Sequence, residues 1–145
     1  MRYLYPVSLK QEEDGRFLAA ARDVPEAITD GESEGDALRE MSDALGAALA
    51  GYSIAGSSLP EPSAAEAGEY LVPVNPLVAT KLALRVAMRE QGVSNTALAE
   101  RLRISEGAVR RLVNPDHASR LDGVVAALAA VGRGLIIEDQ DQLAA

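Results

Sequence analysis

SNTALAERLRISEGAVRRLV, from Ser94 to Val113, has the pattern of two short helices joined by a tight turn. The spacing predicts helices at 95–102 and 105–113, with Ser94 and Ser105 where N-cap side chains are needed. Helices this short must bury a shared apolar wedge, because neither is stable alone. The wedge positions hold Leu98, Leu102, Ile104, Val109 and Leu112, with the small Ala99 where the helices would cross. The pattern favours a helix-turn-helix, although such helix pairs also occur in helical bundles that bind no DNA.

In a helix-turn-helix that binds DNA, the second helix enters the major groove with its N-terminal residues toward the base edges. Arginine can bind guanine through two hydrogen bonds, and glutamate can accept one from cytosine. The candidate base-reading residues are Ser105, Glu106, Gly107 and Arg110, and the candidate phosphate-positioning residues are Ser94, Asn95, Thr96, Arg111 and Arg120. One residue departs from the usual pattern, since Arg103 stands in the turn where a glycine, which tolerates a positive φ, is expected.

The charge of the chain is divided unevenly along its 145 residues, and the formal total is −8. Residues 1–75 hold 5 Lys and Arg against 14 Asp and Glu, a net charge of −9. Residues 76–137 hold 9 against 5, a net charge of +4, and the last eight residues carry −3. Such asymmetry indicates a nucleic-acid-binding part joined to a part with a different partner. We therefore predict an acidic domain at 1–74, a DNA-binding and dimerisation domain at 75–137 and an acidic tail at 138–145.

The N-terminal residues alternate in the manner of a β-hairpin. In RYLYPVSL, one face of a strand would carry Tyr3, Tyr5, Val7 and Leu9. Pro6 cannot donate to a ladder, which predicts an edge or end position. EEDG then forms an acidic turn in which Gly15 can take a positive φ, and RFLAAA is the return strand. A short third strand is predicted around residues 27–29.

A long amphipathic helix follows the hairpin. Ser33 and Asp36 form an S-x-x-D signature of a helix start. Apolar residues then recur at spacings of three and four for 18 to 20 residues: Ala37, Leu38, Met41, Ala44, Leu45, Ala48, Leu49 and Tyr52. The stretch from Gly56 to Gly68 lacks a period and is typical of a loop or linker, and EYLVPV predicts a fourth strand.

Four helices are predicted beyond residue 75. The first runs over 76–91, with Asn75 as a possible cap, Pro76 at the first helical position and Gly92 as a stop. The last runs over 119–131, with Ser119 as its cap. Asn114 is expected to end a helix in the left-handed conformation, and GLIIED is a candidate short strand. The fold class is therefore α+β.

The composition limits the possible chemistry. The chain has no cysteine and one histidine, His117, which argues against thiolate sites, a zinc site or a His-centred triad. His117 could contact a phosphate, but a loop histidine is more often a polar surface or capping residue. No stretch reaches the roughly 18 apolar residues of a membrane span. We expect a cytoplasmic protein with no cofactor, no metal and no membrane association.

The acidic residues of the N-terminal part raise the possibility of a two-metal nuclease, in which several carboxylates converge on two ions. The predicted first strand carries none. The acidic residues fall in predicted turns or on the polar face of the helix: Glu12, Glu13, Asp14, Asp30, Glu32, Glu40 and Asp43. This placement favours a surface for a basic partner over a catalytic site, although an acidic surface that serves only solubility fits it as well.

Nearly all of residues 1–137 resembles the HicB family of antitoxins. The similarity is carried by MRYLYPVSL, by GRFLAAARDVPEAITDGES, by LPEPS, by EYLVPVN and by the stretch from Ser94 to Leu135. The resemblance implies an N-terminal β-β-β-α-β module with a partial ribonuclease-H-like fold and no nuclease activity, which would occlude a small basic HicA-type toxin that cleaves mRNA. It also implies a C-terminal domain that represses the toxin–antitoxin operon by binding operator DNA and helps to form dimers or higher oligomers.

Family members often place a glutamine at the start of the first helix of the pair to bind phosphate, whereas this chain has Asn95 and Thr96. The main alternative is a stand-alone repressor whose N-terminal module senses a ligand or only oligomerises. A ribonuclease-H-like nuclease is a third possibility.

Overall fold

The computed structural model describes residues 1–141, which form two compact units. The first comprises Met1–Asn75 together with residues 139–141, and the second comprises Pro76–Glu138. The elements of the first unit are β1 (Leu4–Gln11), β2 (Phe17–Ala21), β3 (Ile28–Gly31), α1 (Glu34–Ile54) and β4 (Tyr70–Pro73). Those of the second are α2 (Pro76–Gln91), α3 (Asn95–Leu102), α4 (Glu106–Val113) and α5 (Leu121–Ala130). The predicted α+β class, with a β module followed by a helical region, is confirmed.

The first unit is a four-stranded antiparallel sheet in the order β3-β2-β1-β4, and α1 packs against it. Tyr5 and Val7 of β1 are fully buried, as are Met41, Leu45 and Leu49 of α1. The spacing of three and four that predicted the helix therefore places its apolar side chains in the core of this unit. Ser33 caps α1, since its side chain accepts a hydrogen bond from the Asp36 amide at 3.1 Å.

Pro6 lies within an interior strand, so the expectation of an edge strand is wrong. β1 pairs with β2 on one side and with β4 on the other. The Pro6 carbonyl accepts from the Arg22 amide at 3.2 Å, just beyond the last registered pair between β1 and β2, Val7 with Ala21. A strand residue directs its N–H and its C=O toward the same neighbouring strand. The N–H that Pro6 lacks would therefore point toward the β2 side, where the β1–β2 ladder has already ended. Pro6 is the third residue of β1 and also pairs with Leu71 of β4, so it lies at the end of one ladder and not at the end of the strand.

The predicted hairpin, helix start and fourth strand of the first unit are confirmed, and Gly15 has a φ of 85°. The third strand differs from the prediction, because β3 covers Ile28–Gly31 and Asp30 therefore lies in a strand rather than in a turn. Gly31 ends this strand against α1. A Cβ atom at Gly31 would lie 2.9 Å from the Ala37 Cα atom and closer still to the Ala37 nitrogen. The close approach of β3 and α1 thus depends on glycine at this position.

The second unit is built on a core shared by its four helices. The buried residues are Leu84, Ala87, Met88, Leu98, Ala99, Val109, Val113, Val124, Ala127, Leu128 and Val131, with Leu102 and Leu112 packed against them. Four of the five predicted wedge residues therefore contribute to the core. Ile104 does not, because its side chain is 39% exposed.

Three further predictions in the second unit are wrong. Helix α5 begins at Leu121 with Arg120 as N-cap and no side-chain cap hydrogen bond, because the Ser119 hydroxyl is engaged by Lys81 and Arg111. Asn114 ends α4 in an extended conformation, with φ −80° and ψ 112°, rather than a left-handed one. The GLIIED segment forms no ladder with any strand of residues 1–141. Residues 142–145 of the predicted acidic tail lie outside the described residues.

Within residues 1–141, no helix is both long enough and apolar enough to cross a membrane. The same residues contain no group of three or more His, Asp and Glu side chains that could hold a metal ion.

Candidate nucleic-acid interface

The predicted phosphate-positioning residues Ser94, Asn95 and Thr96 lie together at the start of α3. The Ser94 hydroxyl accepts a hydrogen bond from the Ala97 amide at 3.1 Å, so Ser94 is the N-cap that its position predicted. Ser94 and Thr96 are exposed, and Asn95 is half-buried. The unpaired amides of a helix N-terminus and its positive dipole end favour an anion such as a phosphate.

The turn between α3 and α4 is closed by Arg103 in the left-handed conformation, with φ 56° and ψ 45°. The Arg103 amide donates to the Glu100 carbonyl at 3.3 Å, and the Ile104 amide donates to the Ala99 carbonyl at 3.1 Å. This pair of hydrogen bonds is the Schellman motif, which usually has glycine at the left-handed position. Arginine adopts that conformation at a cost of about 1 kcal/mol. The turn therefore keeps the left-handed backbone that a glycine would adopt, and Arg103 bears the strain of that conformation.

The predicted base-reading residues lie together on the first turns of α4. The Ser105 hydroxyl caps the helix by accepting from the Ala108 amide at 3.1 Å. Glu106 Oε2 lies 3.0 Å from Arg110 Nε, and the two side chains are 43% and 67% exposed. This pair holds the Arg110 guanidinium over the start of the helix while leaving most of it accessible to solvent.

Gly107 lies close to two guanidinium groups. A Cβ atom at this position would lie 3.7 Å from Arg110 Nη2 and 4.0 Å from Arg111 Nη1. The absence of a side chain at Gly107 thus leaves space beside two exposed cations. A phosphate or a base edge with acceptor atoms fits the chemistry of that space.

Arg120 lies at a third helix start, the N-terminus of α5. Its side chain is 90% exposed, and its Nε lies 3.5 Å from Asp122 Oδ1. An ion pair this exposed holds the guanidinium weakly. The nine candidate residues are therefore distributed over the N-termini of α3, α4 and α5, with Arg110 and Arg111 one turn further along α4.

Lys81 is a residue of this unit whose role the sequence interpretation missed. Its side chain is completely buried, and its ammonium group, which has three N–H donors, lies within hydrogen-bond distance of four acceptors. The acceptors are the carbonyls of Arg111 at 3.0 Å, Asn114 at 2.8 Å and His117 at 2.5 Å, and the hydroxyl of Ser119 at 2.8 Å. Burial lowers the pKa of Lys81. The ammonium group of α2 thereby fixes the C-terminal end of α4 and the 114–119 loop.

A second cationic side chain of α2, Arg85, also binds the C-terminal end of α4. Arg85 Nη1 donates to the Val113 carbonyl at 3.1 Å, and burial lowers the pKa of Arg85. Cations near a helix C-terminus satisfy its free carbonyls and interact favourably with its dipole. The signal for Lys81 was present in the sequence, because it shares a helix face with Leu77, Leu84 and Met88. A lysine on an apolar face must find acceptors inside the fold.

Carboxylates of the acidic first unit are held by arginines. Arg22 binds both oxygens of Glu69, with Nε and Nη2 each at 2.9 Å, and the hydrogen bond from Arg22 lowers the pKa of Glu69 to about 2. Arg16 Nε lies 2.7 Å from Asp30 Oδ2, and this contact lowers the pKa of Asp30. These pairs join neighbouring segments of the unit and leave its outer carboxylates exposed. Glu32, for example, has a side chain that is 86% exposed.

An acidic unit of four strands and one helix, followed by a unit whose exposed arginines lie on a capped helix pair, defines a two-part binding protein. Residues 4–83 match the family model described as HicB_like antitoxin of bacterial toxin-antitoxin system. Antitoxin HicB of Escherichia coli K12 is 31% identical over 131 residues, which cover 90% of this chain and 95% of that protein. Antitoxin HicB 2 of Photorhabdus laumondii is 33% identical over 90% of this chain and 92% of that protein. The chain therefore belongs to the HicB-like family of bacterial toxin–antitoxin antitoxins, as the resemblance predicted.

Proposed function

We propose that this antitoxin neutralises a HicA-type mRNA-cleaving toxin through its acidic first unit and represses its own operon through a helix-turn-helix formed by α3 and α4. The observation that carries the proposal is the division of charge between the two units. Residues 1–75 carry −9, whereas residues 76–137 carry +4. A chain with two surfaces of opposite sign can hold a basic protein and a polyanion at the same time.

On the toxin side, exposed carboxylates of the first unit attract a small basic protein and orient it during encounter. Complementary charge of this kind raises the association rate more than the final affinity, and salt screens it. The paired carboxylates, Asp30 with Arg16 and Glu69 with Arg22, stabilise the unit that presents this surface. We assign the unit an occluding role and no catalytic one.

On the DNA side, α4 enters the major groove of the operator. Arg110 and Glu106 read base edges together with Ser105 and Gly107, and Arg111 contacts the backbone. The start of α3 and Arg120 contact phosphates on either side. A helix-turn-helix of this kind binds as a dimer, or as part of a higher homo-oligomer, because its operator presents two half-sites.

The test is co-expression of the full chain with the short basic protein encoded beside its gene, with growth, co-purification and promoter activity measured in the same cells. We expect the wild-type chain to rescue growth, to co-purify with that protein and to silence the promoter. Arg110→Ala should rescue growth and co-purify equally well while the promoter stays active. A chain that neither co-purifies nor rescues growth would exclude the antitoxin pairing with that neighbour.

A groove in the first unit favours the alternative of a ligand-sensing repressor. It has a volume of about 640 Å³ and is lined by Leu38 and Asp43 of α1 and by β4. The Gln140 side chain borders it and donates to the Leu71 carbonyl at 3.2 Å. Under this alternative, a small molecule would change operator binding of the full chain in the absence of any toxin. The co-expression experiment separates the two functions, because a ligand sensor would not rescue growth.

A further inference from the structure

The buried side chain of Lys81 joins two segments that carry candidate phosphate contacts. Its Nζ atom lies 3.0 Å from the Arg111 carbonyl oxygen and 2.8 Å from the Ser119 hydroxyl oxygen. Arg111 is itself a candidate contact on α4, and Ser119 directly precedes another, Arg120 at the start of α5. The Ser119 hydroxyl also donates to the Arg111 carbonyl at 3.2 Å. The last turn of α4 and the start of α5 are therefore linked through one ammonium group.

We propose that Lys81 is a positioning residue for DNA binding, which fixes the placement of Arg120 relative to Arg111. This role rests on the proposed DNA-binding function of the unit, and it falls to a side chain that does not itself touch DNA. The Lys81 side chain is completely buried, so it cannot reach a phosphate. Its effect on binding must pass through the two segments that it joins.

The 114–119 loop closes around the same ammonium group. The carbonyl oxygens of Asn114 and His117 lie 2.8 and 2.5 Å from Lys81 Nζ. Backbone hydrogen bonds continue the loop, since the His117 amide donates to the Asn114 carbonyl at 3.1 Å and the Ser119 amide donates to the His117 carbonyl at 2.9 Å. Carbonyl oxygens that converge on one point repel each other, and a cation between them replaces that repulsion with attraction. The positive charge thus stabilises this conformation of the loop over more open ones.

The position of Arg120 depends on its backbone more than on its side-chain contacts. The side chain is 90% exposed, and its ion pair with Asp122 at 3.5 Å holds it weakly. Phosphate contacts fix the orientation of a protein on the duplex, and two of them do so only when their separation matches that of two phosphates. Without the cation, Arg120 would keep its charge but lose its fixed distance from Arg111.

Two other effects of a Lys81 substitution would also weaken DNA binding, namely lower stability and the loss of one positive charge. Two control variants on the same helix measure these effects. Leu84→Ala truncates a completely buried side chain, so it should lower the melting temperature of the chain at least as much as Lys81→Met does. Arg89→Met removes one positive charge from an exposed position. All variants are compared in the full chain at a temperature where each is folded.

The first experiment observes the loop in the absence of DNA. His117 is the only histidine of the chain, and its Nδ1 lies 3.1 Å from the Ser119 hydroxyl oxygen. Its ring therefore gives one set of NMR signals that reports on the loop. We expect Lys81→Met to shift and broaden these signals, and Leu84→Ala to leave them at their wild-type positions. Unchanged signals in Lys81→Met would show that the loop keeps its conformation without the cation, and would overturn the positioning role.

The second experiment titrates promoter DNA with each variant. Lys81→Met should weaken binding about tenfold and reduce the salt slope by about 1, as the loss of one phosphate contact does. Leu84→Ala and Arg89→Met should each stay within about twofold of the wild-type chain. Ser119→Ala, which keeps the buried charge and removes one acceptor, should weaken binding about fivefold, and it carries the test if Lys81→Met does not fold. A loss in either control as large as that in Lys81→Met would assign the effect to stability or to charge and refute the role.

A double-mutant cycle with Arg120→Ala decides whether the loss passes through Arg120. This substitution should weaken binding about tenfold in the wild-type chain and in Leu84→Ala, but less than about twofold in Lys81→Met, where Arg120 is already displaced. An equal effect in all three backgrounds would refute the positioning role and leave the DNA-binding function standing. A wild-type chain that does not bind its promoter would refute both.

Discussion

The ammonium nitrogen of Lys81 lies 2.8 Å from the hydroxyl oxygen of Ser119, inside the second unit. The Ser119 hydroxyl donates a hydrogen bond to the Arg111 carbonyl at 3.2 Å, and His117 Nδ1 lies 3.1 Å from the same hydroxyl. The serine that the sequence presents as a helix cap is therefore a link between α2, the end of α4 and the loop that leads to Arg120. The position of the 114–119 loop depends on this buried cation.

Lys81→Met is expected to lower the free energy of unfolding by about 3 kcal/mol. Methionine fills similar volume but leaves the carbonyls of Asn114 and His117 without their buried donor, and hydrogen bonds to a charged group contribute about 1.5–3 kcal/mol each. Urea unfolding at neutral pH measures the loss. Arg89→Met, an exposed position of the same helix, is the control and should change stability by less than about 0.5 kcal/mol. Equal stabilities of the two variants would contradict a structural role for the buried cation.

Gly31→Ala is expected to destabilise the first unit by about 2–3 kcal/mol, because the added methyl group meets the backbone of α1 at Ala37 and backbone atoms cannot move aside cheaply. Gly51→Ala is the matched control, since the space around it is open and alanine is the better helix former. That variant should be more stable than the wild-type chain by about 0.5–1 kcal/mol. Thermal unfolding of both variants decides the point, and a Gly31→Ala chain as stable as the wild type would show that α1 and β3 are not in the close contact described.

Local patterns predicted the elements well, and contacts between distant residues account for the errors. Helix α2 matches its predicted range, because Pro76 and Gly92 mark its ends and the apolar spacing is continuous between them. Ser119 was misassigned because Lys81, which occupies it, lies 38 residues earlier. The interior position of β1 in the sheet could not be predicted either. Alternation of apolar residues shows which face of a strand is buried, but it does not show which strands pair with its two edges.

The candidate site likewise has features that local sequence predicts and features that depend on contacts between distant residues. The caps at Ser94 and Ser105 are determined within a few residues of chain, and the structure confirms both. The left-handed turn at Arg103 is equally local, and it keeps the backbone expected of a glycine. Lys81 and Arg85 bind carbonyls at the C-terminal end of α4 from about 30 residues earlier in the sequence. These contacts could not be predicted without the fold. The DNA contacts themselves stay predictions.

Arg103 is expected to carry a cost that glycine would relieve. Arg103→Gly removes about 1 kcal/mol of left-handed strain but makes the unfolded chain more flexible, so we expect a net stabilisation of about 0.5 kcal/mol. Arg103→Val should lower stability by about 1–2 kcal/mol, because a β-branched residue fits the left-handed conformation least well. The order of the three melting temperatures is the measurement. A valine variant that melts with the wild type would contradict the φ of 56°.

Glu69 is expected to stabilise the first unit at neutral pH and to lose that effect in acid. Its ordinary pKa of 4.5 falls to about 2 in the fold, chiefly through the hydrogen bond from Arg22. Because the folded pKa is lowered, the stabilisation is fully present above about pH 4.5 and is lost as the pH falls toward 2. The Glu66 amide, which donates to Glu69 Oε2 at 2.8 Å, reports this titration by NMR. Glu69→Gln should remove the difference in unfolding free energy between pH 5 and pH 2.5 that this residue causes. A Glu66 amide signal that titrates near pH 4.5 would refute the pairing.

Replacement of Arg110 and of Arg120 by alanine is expected to weaken DNA binding in two different ways. Arg110 lies over the first turn of α4 beside Glu106, so Arg110→Ala should cost about 1–3 kcal/mol on the chain's own promoter and relax its preference for one base pair. Arg120, 90% exposed at the start of α5, has the position of a phosphate contact. Arg120→Ala should weaken binding to all sequences alike and reduce the salt slope by about 1. Gel-shift titrations on promoter and scrambled DNA at several salt concentrations separate these outcomes. Equal affinities of both variants and the wild-type chain would exclude α4 as the helix that enters the groove.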